Sequence, residues 1–233
     1  MLLFPDITRV DGVVCNVYII VEPAGLTIID TGMPGADRRI LAAVRSLDRA
    51  TSDIRHIVLT HQHADHIGGL AALARATGAE TWAHPAETPA IEGRARRESG
   101  HGPISLAMRV AILPRVRPSS ITHTVSEGDT LPILSAEGGV RVVETPGHTS
   151  GHISLYLPAR SLLFAGDAVR SGNGRILPPP TPLNTDSAVA LRSVRKLAEM
   201  EIDACLPGHG VPVVTGAQPL LAACAGMPPL SRV

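Results

Sequence analysis

Four side chains able to bind a metal fall within six consecutive residues, His61-Gln62-His63-Ala64-Asp65-His66, in a chain of 233 residues with only ten histidines. The cluster follows a short apolar run, Ile54 to Leu59, that reads as a strand. It precedes an Ala/Leu-rich run, Ile67 to Thr77, that reads as a helix stopped by Gly78. A turn between a strand and a helix lets neighbouring side chains converge on one point. Imidazole nitrogens with a carboxylate suit zinc, iron or manganese. The plain alternative, a polar surface turn, does not explain such a concentration of histidine. The pattern therefore constrains the fold to one that can hold this loop rigidly.

Three further positions share a form. His148 lies in Thr145-Pro146-Gly147-His148, Asp167 in Ala165-Gly166-Asp167, and His209 in Pro207-Gly208-His209-Gly210. Each follows an apolar strand-like run and sits beside glycine, where a ligand can be held with little crowding. One histidine beside a glycine is usually a plain turn; three such sites at strand ends reinforce one another. Of the other histidines, His152 follows the Thr149-Ser150-Gly151 turn and reads as entering the next strand, while His56, His84, His101 and His123 lack this pattern and read as packed or exposed imidazoles.

Strands alternate with helices in two similar halves. Val13 to Val21 and Leu26 to Ile29 read as a hairpin around Glu22 to Gly25, and the second run ends in Asp30-Thr31-Gly32. Ala36 to Leu47 has helical spacing. Strands are expected at Glu80 to His84, Val140 to Glu144, Ile153 to Leu157, Ser161 to Ala165 and Asp203 to Leu206, with a helix over Asp186 to Met200. Residues 85–118 are irregular and arginine-rich, either a lid or substrate wall or a solvated excursion, with a helix expected over Ile104 to Leu113. The stretch after Pro219 reads as an Ala/Leu-rich tail broken by proline. One domain over 1–233 is the expectation.

Composition narrows the function. Basic and acidic residues balance at 21 each, which argues against a nucleic-acid partner. Aromatics are 2% of the chain, too few for a base-stacking platform. No run of apolar residues approaches the length of a membrane span, and Met1 to Val10 has neither a basic lead nor a long apolar stretch, so a cytoplasmic protein is expected. Cys15, Cys205 and Cys224 are odd in number and far apart, which suggests buried thiols rather than a disulfide framework. Arginine carries nearly all the positive charge, and Lys196 is the single lysine.

The His-x-His-x-Asp-His loop with a distant His, Asp and His resembles the metallo-β-lactamase superfamily, over about Val13 to His209. The resemblance implies an α/β (α+β) fold, the αββα sandwich of two mixed sheets flanked by helices. It also implies two divalent metal ions, zinc first with manganese or iron as alternatives. One would take His61, His63 and His148, the other Asp65, His66 and His209, with Asp167 bridging. Asp30 would steady the metal loop, its alternative being a plain strand-end turn.

Two such metals could share a bridging hydroxide, its pKa lowered from about 15.7 towards about 7, that attacks a carbonyl. His61, His63 and Asp167 would act through the metals, while Asp65 orients the nucleophile and passes on a proton. The implied function is a metallo-hydrolase of a small ester, thioester or lactone. A bridging aspartate disfavours a true β-lactamase. Glyoxalase II shares all seven ligands but carries a helical C-terminal extension, whereas only a short tail follows His209 here. Acyl-homoserine lactonases carry a tyrosine three residues beyond the bridging aspartate, where this chain has Arg170. The rival from another reaction class is a persulfide dioxygenase with one iron on His61, His148 and Asp167. An RNA-processing nuclease would need a basic exosite, and a non-enzymatic member would have lost ligands. The expected partner is a small-molecule substrate, with no nucleic acid and no membrane; an apolar helix over Ile104 to Leu113 would favour a homodimer.

Overall fold

The structure, a computed structural model, describes residues 1–98 and 115–226. The helix expected over Ile104 to Leu113 lies outside the described residues, as does much of the segment 85–118. The described residues divide into two compact units, residues 1–98 with 115–125, and residues 126–226.

In the first unit, the described residues form one mixed sheet of seven strands in the order β1-β2-β3-β4-β5-β6-β7. These are β1 (Leu2–Phe4), β2 (Ile7–Val10), β3 (Val17–Glu22), β4 (Gly25–Ile29), β5 (Ile54–Val58), β6 (Glu80–Ala83) and β7 (His123–Thr124). The first four strands pair antiparallel and β4 to β7 pair parallel. Parallel neighbours need crossovers, supplied by α1 (Asp37–Ser46) and by the one-turn α2 (Ala64–Ile67) with α3 (Leu70–Thr77). Ile40 and Val44 of α1 and Leu70 and Leu73 of α3 share an apolar cluster with Val17, Ile19, Ile28 and Ile57 of the sheet. The period-two alternation of the strands and the helical spacing of α1 thus meet on one face. A further one-turn helix, α4 (Thr88–Ile91), follows β6.

The sequence predicts one helix over Ile67 to Thr77; the structure has two pieces. Glycines 68 and 69 interrupt the helix because the chain there lies against the loop after β4. A Cβ on Gly68 would fall 2.3 Å from the Pro34 nitrogen, and one on Gly69 would fall 2.5 Å from the Thr31 carbonyl oxygen. Close backbone approach, rather than helix propensity, sets this break.

The second unit carries a mixed sheet in the order β14-β11-β10-β9-β8, from β8 (Thr130–Leu131), β9 (Val140–Glu144), β10 (Ile153–Leu157), β11 (Leu162–Gly166) and β14 (Ala204–Pro207). A hairpin of β12 (Arg170–Gly172) and β13 (Arg175–Leu177) stands apart from it. The crossover between parallel β11 and β14 includes α5 (Ser187–Ala198), whose N-cap Asp186 accepts from the Ala188 and Val189 amides. A last helix, α6 (Ala217–Ala225), stands where the sequence reads as a broken tail. Pro219 is its third residue, within the first turn, where a missing N–H costs no helical bond. Val194 and Leu197 of α5 and Leu221 of α6 pack on Val143, Leu163 and Cys205 of the sheet. Lys196, on α5, donates to a Glu127 carboxylate oxygen at 2.7 Å and to the Glu144 carbonyl at 2.9 Å.

Cys15 and Cys205 are buried as expected, and Cys224 is partly buried. Burial and the neighbouring Cys224 push Cys205 up to about 12, and burial pushes Cys224 up to about 11. A thiol that ionises later in the folded chain than in the unfolded one stabilises the fold below its unfolded value. That stability is lost as pH rises from about 9 towards the folded values of about 11 and about 12. Denaturant midpoints measured from pH 7 to 11 are expected to hold to about 9 and then fall. Native protein at pH 8 should react with a thiol reagent far more slowly than unfolded protein.

Among the described residues, no helix is long and apolar enough to cross a membrane.

Candidate metal centre

The first unit carries four of the predicted ligands on one loop. His61 and His63 follow β5, and Asp65 and His66 lie on α2. His61, Asp65 and His66 are buried. The His61 and His66 rings lie 4.1 Å apart between centroids, and His61 and His63 lie 4.7 Å apart. The His66 Nε2 is 3.8 Å from an Asp65 carboxylate oxygen.

Asp30 decides which nitrogens these rings present. It follows β4 in a left-handed conformation, φ 60°, that aspartate tolerates better than most residues, and it is buried. Its Oδ1 accepts the Thr60 amide at 2.9 Å, and its Oδ2 lies 2.9 Å from the Thr60 hydroxyl and 2.8 Å from His66 Nδ1. A carboxylate only accepts, so His66 carries its proton on Nδ1 and keeps a lone pair on Nε2. The Thr60 hydroxyl spends its one proton on Asp30. Its oxygen, 3.0 Å from His61 Nδ1, then accepts from that ring, and His61 too is left with an Nε2 lone pair. One carboxylate therefore sets the tautomer of two rings. The backbone adds to the hold, because the Thr31 amide and hydroxyl both donate to the His66 carbonyl, at 2.6 and 2.7 Å. Between the two ring-bearing residues, the Gln62 amide donates at 2.8 Å to Glu87, a fully buried carboxylate.

The second unit carries the other three. His148 follows β9, Asp167 follows β11 and His209 follows β14, each one to four residues past the end of its strand. His148 Nδ1 lies 3.1 Å from the Asn184 side-chain oxygen, and the Asn184 amide group donates to Ser187. That orientation makes Asn184 the acceptor, so His148 also presents Nε2. Glycines permit the tight loops: a Cβ on Gly147 would fall 2.1 Å from the Ala190 nitrogen, and one on Gly210 would fall 1.9 Å from the Ser171 carbonyl oxygen. The Gly208 amide donates to the Gly166 carbonyl, tying the His209 loop to that of Asp167.

One oxygen of Asp167, Oδ2, lies 3.3 Å from His148 Nε2 and 3.4 Å from His209 Nε2. A direct charge-assisted hydrogen bond would be about 2.7–2.9 Å. Two ligands about 2.0–2.1 Å from a tetrahedral zinc stand about 3.3–3.4 Å apart. The spacing is that of neighbouring ligands around a metal, and one oxygen has it towards two imidazoles. The donor set of neutral imidazoles and carboxylates fits a divalent ion of the zinc, manganese or iron kind.

The helpers Thr60, Glu87 and Asn184 are not visible in the sequence reading. Thr60 is next to the loop, but a threonine there has many uses. Glu87 and Asn184 are 25 and 36 residues from the groups they hold, with no spacing to announce them. Arg170, at the position where lactonases carry tyrosine, begins the β12–β13 hairpin and is exposed.

Residues 10–209 match the family model described as the metallo-beta-lactamase superfamily. The Bacillus subtilis protein YflN, described as a probable metallo-hydrolase, is 28% identical over 220 residues, covering 86% of this chain and 82% of that one. A hydroxyacylglutathione hydrolase of Rhodospirillum rubrum is 35% identical over 177 residues, covering 76% of this chain and 55% of its own. The chain thus spans about half the length of that relative. A crystal structure of a metallo-beta-lactamase family protein from Thermus thermophilus has a TM-score of 0.72 at 19% identity, covering 97% of this chain and 80% of that one. That likeness shows the fold, the αββα class with two mixed sheets and flanking helices.

Proposed function

The chain belongs to the metallo-β-lactamase superfamily, and from that premise we propose that it is a dinuclear hydrolase of a small ester, thioester or lactone. The observation that carries this reading is the Asp167 oxygen standing at ligand spacing from both His148 and His209. By family membership one ion would be held by His61, His63 and His148 and the other by Asp65, His66 and His209, with Asp167 common to both. Bound there, the ions would supply Lewis acidity towards the acyl oxygen and acidify water at neutral pH. The chain's own part is to present Nε2 of His61, His66 and His148 unprotonated, through Asp30, Thr60 and Asn184. Asp65, the carboxylate on α2, is the group we assign to orient the attacking water and take its proton.

The test measures metal per chain and turnover of an ester, a thioester and a lactone by the same preparation. Close to two ions with hydrolysis of one of the three supports the reading. One iron per chain with oxygen consumed on a persulfide would replace it with the dioxygenase reaction.

Arg97 favours an anionic substrate. The neighbouring Glu98 amide donates to the Gln62 side chain at 2.9 Å, which ties this segment to the loop of His61 and His63. Arg97 itself is half-buried, and its Nε is buried without a hydrogen-bond partner among the described residues. Burial alone lowers its pKa, but an arginine keeps its charge. A desolvated cation of this kind calls for an anion. Loss of a charged hydrogen bond costs about 1.5–3 kcal/mol, or about ten- to a hundredfold in binding. Arg97→Gln should therefore raise KM for a carboxylate-bearing thioester by about tenfold or more and leave its methyl-ester analogue unchanged. An equal effect on both substrates would remove the anion preference and leave the hydrolase reading intact.

A further inference from the structure

His152 is a buried histidine outside the family's ligand set, immediately before β10. Its Nε2 accepts the backbone amide of Asp167 at 2.9 Å. An amide N–H can only donate, so Nε2 carries no proton, and the neutral ring carries its proton on Nδ1. That Nδ1 lies 2.8 Å from the Thr145 hydroxyl, which therefore accepts. Thr145 passes its own proton to the Ser154 hydroxyl at 2.9 Å, and Ser154 donates to the Ala165 carbonyl at 3.1 Å.

Every proton in this relay has a fixed direction. One end is an N–H that cannot accept, and the other is a carbonyl that cannot donate. Thr145, His152 and Ser154 are all buried, so bulk water does not compete for them. The relay also closes on itself in sequence. It begins at Asp167 and ends at Ala165, on either side of Gly166, which has φ 51° and follows a shift in the β11–β14 register. A left-handed glycine at an irregular strand end is the least determined backbone in the neighbourhood. The relay grips it from both sides.

We propose that His152 is the positioning residue of the Asp167 carboxylate: a neutral, Nδ1-protonated imidazole that sets where the shared oxygen stands by fixing the backbone on which it rides. The proposal rests on the reading of Asp167 as a metal ligand. Metal sites need ligand distances correct to about 0.2 Å, and outer partners that orient ligands change affinity by about 10–100-fold.

Two variants and one spectrum test it. His152→Phe keeps a ring of similar bulk but offers no acceptor to the Asp167 amide. His152→Gln keeps an acceptor at a similar reach. Zinc affinity, read by competition with a chromophoric chelator, should fall about 10–100-fold in His152→Phe and return most of the way in His152→Gln. Nitrogen-15 NMR of the histidine rings in metal-free wild-type protein should show His152 protonated on Nδ1 alone. That reading holds even if His152→Phe does not fold. A proton on Nε2 would overturn the proposal, and so would wild-type zinc affinity in a folded His152→Phe. Wild-type protein that binds no metal would overturn the metal reading, and this role with it; an unaffected His152→Phe would remove the role alone.

Discussion

Asp167→Asn is expected to lower zinc affinity by more than about 100-fold and to take hydrolysis down with it, while the melting temperature of the metal-free protein changes little. The substitution keeps the shape and removes the charge. Replacing a residue that merely orients a ligand costs about 10–100-fold in affinity, so removing the ligand's own charge should exceed that range. Asp167 is also the residue whose one oxygen stands at ligand spacing from two imidazoles. On the dinuclear reading proposed above, its loss should release both ions rather than one. Metal per chain after dialysis, followed by kcat/KM on the best substrate, measures this. An Asn variant that retains two ions and turns over as before would remove Asp167 from the centre.

Asp30 is expected to have the second large effect, and its two substitutions should separate stability from metal binding. Asp30→Ala strands the Thr60 amide, the Thr60 hydroxyl and His66 Nδ1, all of them in buried residues. An unsatisfied buried donor costs about 1–3 kcal/mol, so a loss of about 3–5 kcal/mol is expected after partial relaxation. At about 2–4 °C per kcal/mol for a chain of this size, the melting temperature should fall by about 10 °C. Asp30→Asn keeps the left-handed backbone and one acceptor, so its thermal cost should be smaller. Its amide group, however, donates where His66 Nδ1 also donates. The ring escapes that clash by moving its proton to Nε2, the atom a metal needs unprotonated. Zinc affinity of the Asn variant should therefore fall as far as that of the Ala variant, at a higher melting temperature. Calorimetry and chelator competition on the same preparations measure both. Wild-type affinity in Asp30→Asn would show that the carboxylate does not set the tautomer.

The parts of the fold legible in the sequence are those whose signal is local. Val140–Glu144 and Ile153–Leu157 are strands over the expected residues, and Ser187–Ala198 lies inside the expected helix with Asp186 capping it. Apolar periodicity and an N-cap suffice there. The N-terminal strands β1 and β2 were not expected, because Leu2–Phe4 and Ile7–Val10 are short runs broken by Pro5 and Asp6. Pairing with each other and with β3 makes them strands. The break at Gly68 and Gly69 depends on Pro34 and Thr31, and a helix pattern carries no sign of such an approach.

The candidate ligand positions are legible for a related reason. Each stands just beyond an apolar strand and beside glycine or another ligand, a pattern contained in a few residues. What orients them is not. Asp30 and His66 are 36 residues apart, as are His148 and Asn184. Such pairs are set by which strands end side by side, and spacing along the chain says nothing about that. His152 falls between the two cases. It is four residues beyond His148 and could be singled out, but its task became readable only with the direction of each proton around it.

The single lysine gives the molecule an unusual handle. Besides the N-terminal amine, Lys196 is the one primary amine in the chain, and it is held between Glu127 and the Glu144 carbonyl. An amine-directed dye, crosslinker or resin thus has two points of attachment at most, one at each of two known places. Chemical immobilisation would give an oriented layer rather than a random one, and a lysine-specific protease would cut the polypeptide once. The time course of that cut would report how often the end of α5 lifts from β9.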